Sequence, residues 1–194
     1  MDLKEEKKVI RLRMKKMRNE LDLSLYRKWS SAIMEKCVTL EEWRLAQKVH
    51  IYVSAVNNEV DTLGLIFNIL DAGKIAAVPK CEHKIHKLFN LWIRSLDELL
   101  PCKFGIMEPA YNPEREISNE DLNLIVAPLL AFDRDGGRLG FGMGFYDSLL
   151  GECACPKIGL GYSFQEVDLI PREPHDQKLD IIITEKEIIR VDHE

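Results

Sequence analysis

The apolar positions of the chain follow two rhythms. Leu3, Val9–Ile10, Met14 and Met17–Leu21 recur at three- and four-residue steps with Lys and Arg between them, which predicts an amphipathic helix over 3–20. A second helix is expected from Ser24, as its cap, to about Val38, and Thr39-Leu40-Glu41-Glu42 reads as a capping box opening a short third. The rhythm then changes. VHIYVSA (49–55) is β-branched and aromatic and predicts a strand, followed by a turn at Asn57-Asn58. Residues 61–71 read as a helix with Asp61 or Thr62 as cap and Gly73 as stop. Further strands are expected at 74–79, 86–93, 123–128, 157–162, 179–184 and 187–191, with short helices opening at Ser95 and spanning 145–150. NLIVAP (123–128) is almost uniformly apolar, as in a strand covered on both faces. Strands alternating with helices predict an α/β fold, a three-layer sandwich with a mainly parallel central sheet. The first 45 residues are expected to pack as a helical N-terminal arm on a 48–194 core, all of 1–194 forming one domain.

Composition narrows the picture. With 194 residues, 46% hydrophobic and 30% charged, the chain has the make-up of one folded domain rather than a disordered or fibrous segment. The five cysteines are odd in number and contain no C-x-x-C pair, so reduced thiols are expected. The five histidines show no zinc-ligand spacing. No apolar run approaches the roughly 18 residues of a membrane span, and MDLKEEKKVI is no signal peptide, so a cytoplasmic protein with no membrane partner is expected. Charge is uneven. Residues 1–28 carry ten Lys/Arg against five Asp/Glu, while the whole chain has net charge −5. A basic arm on an acidic body suggests that the arm meets an anion, and a phosphorylated small molecule suits the acidic balance better than nucleic acid.

The densest chemistry lies in FDRDGGRLGFGMGFYD, residues 132–147. Five of the eleven glycines fall here: Gly136, Gly137, Gly140, Gly142 and Gly144. The segment follows a buried strand and precedes a helix. Glycines there allow positive φ and close approach of a phosphate to backbone amides, and the helix N-terminus adds unpaired N–H donors. It is neither a P-loop nor a dinucleotide fingerprint. Asp135-Gly136 and Gly137 can also form a simple tight turn. Arg138 either clamps phosphate oxygens or pairs with Asp133 or Asp135. Asp147 either holds a Mg²⁺ that bridges phosphates or is a first-turn carboxylate favoured by the helix dipole.

Residues 132–147 resemble the signature of the 5-formyltetrahydrofolate cyclo-ligase family. Lys7 and Arg11 match that family's N-terminal Lys-x-x-x-Arg. Asn58-Glu59-Val60-Asp61, Val78-Pro79-Lys80, Gly105-Ile106-Met107-Glu108-Pro109, and Pro174-His175-Asp176 with Leu179-Asp180 match further stretches in order and spacing. Phe145 stands where the family usually has Tyr, which removes a hydroxyl, and Met143 where some members carry Lys.

The resemblance implies an ATP-dependent ring closure of 5-formyltetrahydrofolate to 5,10-methenyltetrahydrofolate, with Mg²⁺ as cofactor; a monomer is expected, although nothing in the sequence reads out the oligomeric state. It implies that Lys7 and Arg11 reach ATP phosphates. Arg138 and the amides of Leu139, Gly140, Gly142, Gly144 and Phe145 would cradle the triphosphate, and Asp147 and Asp176 would hold the metal. Glu59 would pair with the pterin edge, Tyr146 would sit at the reacting centre, and Trp92, Met107 and Glu108 would line the folate pocket. From the residues alone, Lys7 and Arg11 read first as a solvated helix face, and Trp92 as a core residue. His175 reads as a ligand-side donor or a solvated loop residue. The alternative function is a nucleotide-binding regulatory or RNA-associated protein of the same fold. Its discriminator is aromatic interleaving among basic residues, and the first 25 residues contain no aromatic residue.

Overall fold

The structure is a computed structural model that describes residues 2–102, 105–174 and 176–192. His175 therefore lies outside the described residues. The chain opens with α1 (Leu3–Asn19), α2 (Leu23–Thr39) and α3 (Glu41–Leu45), then enters the sheet with β1 (Lys48–Ile51). After α4 (Leu63–Asp71) come β2 (Ile75–Glu82), β3 (Lys87–Ile93), a ribbon of β4 (Leu99–Pro101) and β5 (Met107–Pro109), and β6 (Glu116–Ile117). β7 (Leu124–Pro128) leads into a second ribbon, β8 (Ala131–Phe132) and β9 (Arg138–Leu139). The chain then runs through α5 (Phe145–Glu152), β10 (Lys157–Leu160), β11 (Ile181–Ile183) and β12 (Ile188–Arg190).

The main sheet has the order β12-β11-β10-β7-β1-β2-β3-β6. Its central run β11-β10-β7-β1-β2 is parallel, and β12, β3 and β6 are antiparallel at the edges. β7 shows why it had to be apolar throughout. Leu124 and Val126 pack into the cluster under α2, α3 and α4, and Ile125 and Ala127 into the opposite cluster with Phe145, Leu149 and Leu150 of α5. Alternate side chains of one strand thus fill two layers. α1 covers neither face. Met14, with Ile10 and Met17 beside it, packs on Leu130, Ala131, Leu139 and Ile170 at the end of the sheet. This placement brings the basic arm over the carboxyl end of β7.

Local details differ from the sequence expectations. The cap of α2 is Asp22, whose Oδ1 accepts from the amides of Ser24 at 2.8 Å and Leu25 at 3.3 Å. Thr39 is the last residue of α2, its hydroxyl donating to the Lys36 carbonyl, and α3 starts without a side-chain cap. The chain leaves strand geometry after Ile51 instead of Ala55, because it turns there toward the site.

Candidate active site

In an open parallel sheet, ligands bind beyond the carboxyl ends of the strands where the strand order reverses. Here β1 is followed on one side by β2 and on the other by β7, so the reversal lies between β1 and β7. A cavity of about 1010 Å³ opens there, walled by the turn after β1, the end of β2, α1, β5 and the 138–147 segment. It is as large as the upper end of ordinary ligand pockets, with room for two ligands. Of the site residues expected from the sequence, all border it except Trp92.

The glycine-rich segment divides into two parts. In the first, the buried Asp133 carboxylate accepts from the amides of Asp135 at 3.1 Å, Gly137 at 2.7 Å and Ile170 at 2.8 Å. Gly136 and Gly137 thus form the tight turn of the β8–β9 ribbon and stay off the cavity. The second part, 140–144, forms the cavity wall. Gly142 (φ 96°) and Gly144 (φ 73°, the N-cap of α5) occupy the left-handed region that favours glycine. Among the described residues, the amides of 141–145 donate to no protein group. They stand at the positive end of α5, an anion-binding arrangement. The Leu139 side chain belongs to the core under α1, and the Phe145 ring stacks on His86 at 4.6 Å and meets His83 edge-on at 5.4 Å.

Cations ring this loop and each has a partner. Arg138 is 6% exposed. Its Nη2 donates to Asp147 Oδ1 at 2.6 Å and its Nη1 to the Pro128 carbonyl at 3.2 Å. Neither Asp133 nor Asp135 is its partner, contrary to the alternative expected from the sequence. Arg11 Nε donates to the Gly140 carbonyl at 2.9 Å. Lys7 is buried, with Nζ 2.6 Å from Asp176 Oδ2 and 2.9 Å from Glu173 Oε2. Burial works against its charge, but the hydrogen bonds and attraction of those two carboxylates outweigh it and raise its pKa.

Across the cavity, Glu59 is 8% exposed in the turn after β1. Its Oε2 accepts from the Ala55 amide at 3.3 Å. Burial pushes its pKa up, opposed by Arg18 and by backbone N–H groups. Met107 and Glu108 on β5 border the same space, and Glu108 pairs with Lys80 at 2.7 Å. Trp92 does not join them. On β3 it faces the α5 layer, its ring flanked by the guanidinium groups of Arg94 at 5.1 Å and Arg115 at 4.9 Å. It pairs with Ala77, short of the end of β2 where Pro79, Lys80 and Cys81 border the cleft.

Comparison with known proteins decides the family. The model of the 5-formyltetrahydrofolate cyclo-ligase family matches residues 3–185. The chain belongs to this family. It is 31% identical over 187 residues to 5-formyltetrahydrofolate cyclo-ligase of Haemophilus influenzae, covering 92% of this chain and 98% of that protein. It is 30% identical to the Mus musculus protein of the same name, covering 80% and 82%. The solved structure of Aquifex aeolicus 5,10-methenyltetrahydrofolate synthetase superposes with a TM-score of 0.84 at 32% identity, covering 97% of this chain and 94% of that one. Membership makes the protein a ligase of folate one-carbon metabolism.

Two residues beside this cavity were given no role by the sequence, Lys80 although it closes one of the matching stretches. Lys80 lies near the end of β2 and pairs with Glu108. His50 lies inside β1, fully buried, its Nε2 3.0 Å from the Tyr146 hydroxyl. An isolated strand histidine looks like any core residue until Tyr146 is placed beside it. Burial lowers the His50 pKa from 6.5 to about 4, so the folded state keeps it neutral where the unfolded chain protonates. Between those values the unfolded state binds the extra proton, so stability is complete above pH 6.5 and is lost as pH falls toward 4. That gap corresponds to roughly 3 kcal/mol. Urea unfolding of the wild type and His50→Gln over pH 4–7 is expected to show the loss only in the wild type. Parallel profiles would assign the acid sensitivity elsewhere.

Proposed function

We propose that the protein converts 5-formyltetrahydrofolate and ATP to 5,10-methenyltetrahydrofolate, ADP and phosphate within this one cleft. The formyl oxygen attacks the γ-phosphorus, an O–P bond forms, and the bond to the bridging oxygen of ADP breaks. N10 then attacks the activated formyl carbon and loses its proton, and the carbon–oxygen bond breaks to release phosphate. Such chemistry asks the protein for positioning and charge neutralisation rather than for a nucleophile.

The triphosphate lies against the amides of 141–145, with Arg138, Arg11 and Lys7 exchanging part of their present carboxylate and carbonyl contacts for phosphate oxygens. Glu59 accepts from the N–H groups of the pterin edge. Met107 and Glu108 flank the folate, and the Tyr146 hydroxyl, fixed by His50, borders the formyl group. Asp147 and Asp176 both border the cleft and supply carboxylate oxygens, a donor set suited to Mg²⁺ shared with phosphates. Bound there, the metal would neutralise charge developing on the transferred phosphoryl group.

The observation that carries this reading is that Glu59, after β1, and the 141–145 amides, which donate to no protein group among the described residues, border a single cavity at one sheet edge. The same reading has the chain act as one domain, its 1–45 arm part of the site. It acts as a monomer in the cytoplasm, with neither nucleic acid nor a membrane as partner. Among the described residues, no helix is long and apolar enough to cross a membrane. The test is to mix the protein with 5-formyltetrahydrofolate and Mg-ATP and follow the near-ultraviolet absorbance of the methenyl product. Absorbance is expected to grow with stoichiometric ADP and to stop on adding EDTA. No product at any ATP concentration would refute the function, and undiminished turnover in EDTA would refute the metal.

A further inference from the structure

One helix face of α1 carries Lys7, Arg11 and, two to three turns further on, Arg18. The first two reach the phosphate side. Arg18 goes elsewhere. It is 1% exposed, among the most buried side chains of the protein. Its Nε donates to the Asn57 carbonyl at 2.6 Å, Nη2 to the Val56 carbonyl at 3.0 Å and Nη1 to the Leu129 carbonyl at 3.2 Å. Its own carbonyl accepts from Asn58 Nδ2 at 2.8 Å. Asn57 and Asn58 both have positive φ, 52° and 47°, so the turn is held in a conformation that most residues avoid. Nη2 lies 3.9 Å from Glu59 Oε1, and the guanidinium carbon 5.7 Å from the centre of the Phe141 ring in the glycine loop.

We propose that Arg18 is a positioning residue of the folate subsite, clamping the 56–57 turn so that Glu59 faces the pterin as an ionised carboxylate. The proposal rests on the reading of Glu59 given above. A buried carboxylate with no cation beside it takes up a proton instead. A protonated Glu59 would present a donor where the pterin edge also offers donors. Tyr52 beyond β1, Tyr26 of α2 and Tyr146 of α5 also sense the Glu59 charge, and Asp61 stands on the same turn. The tyrosines are kept neutral and Asp61 carries the same sign as Glu59. Among the described residues Arg18 is therefore the one cation acting on Glu59. Arginine suits the task because its planar fork serves several carbonyls while its charge is never lost.

The experiment compares Arg18→Lys, Arg18→Met, Glu59→Gln and the Arg18→Met/Glu59→Gln pair, measuring melting temperature and both KM values from pH 6 to 9. Arg18→Lys keeps the charge and loses the fork. It is expected to raise the folate KM by about tenfold, one loosened polar contact, and to move the ATP KM by less than about threefold. Arg18→Met is expected to raise the folate KM further and to make it pH-dependent, recovering as pH rises and Glu59 ionises. The double variant should lose that dependence and show little beyond Glu59→Gln alone. Arg18 variants that raise both KM values alike, or a pH profile of Arg18→Met like that of the wild type, would overturn the proposal. So would loss of the fold in both Arg18 variants, which would make Arg18 a structural clasp only. A folate KM unchanged in Glu59→Gln would instead sink the underlying assignment of Glu59.

Discussion

Glu59→Gln is expected to raise the KM for 5-formyltetrahydrofolate well above tenfold while the ATP KM stays within a few-fold. The carboxylate now serves the Ala55 amide with one oxygen and faces Arg18 with the other, so it acts as an acceptor on both sides. An amide offers one acceptor and one donor. Whichever way it turns, its N–H₂ meets another donor, either on the protein or on the pterin edge. A buried donor left unpaired costs about 1–3 kcal/mol, and each 1.4 kcal/mol is tenfold in affinity. Steady-state kinetics with each substrate varied in turn provide the check. Equal increases in both KM values would remove Glu59 from the folate side.

Arg138→Ala is expected to lower kcat/KM for ATP by about 10²–10³, the usual effect of removing a preorganised donor from developing charge. Its effect cannot be confined to phosphate. The guanidinium also holds Asp147 and the Pro128 carbonyl, and its carbon lies 6.0 Å from the centre of the Tyr146 ring. A moderate rise in folate KM and a lower melting temperature should therefore accompany the loss. Its Nε is buried without a partner among the described residues, a donor in reserve for a ligand. Arg138→Lys, which keeps charge without the fork, should recover only part of the rate. Full activity of Arg138→Ala at saturating ATP would displace Arg138 from the transferring group.

The sequence made the layers legible because burial on both faces leaves its mark directly, as in the unbroken run 123–128. It also showed where the cavity wall bends, since Gly142 and Gly144 answer a backbone requirement that no other residue type meets as cheaply. Other features were hidden for physical reasons. Asp22 and Ser24 are equally good caps on paper, and the backbone path chose Asp22. Trp92 and Met107 are both apolar residues in plausible pocket stretches. Only the folded arrangement separates them, with Trp92 in the main sheet opposite Ala77 and Met107 on the β4–β5 ribbon that walls the cleft. Arg18 looked like one more cation on a basic helix, because its partners are carbonyls far along the chain and carbonyls leave no trace in a sequence. His50 was silent for the same reason, its meaning resting on Tyr146 nearly a hundred residues later.

The division of the glycine-rich segment at Arg138 has a consequence for natural variation. Asp133, with three backbone amides on one carboxylate, governs whether a chain folds and survives, so its loss is felt as protein abundance. On the proposed reading, Gly140 to Asp147 set how fast each surviving molecule works, and Arg138 between the two parts serves both. Neighbouring alleles within one short motif can therefore produce the same metabolic shortfall by unrelated routes. One class would respond to conditions that favour folding, and the other would not.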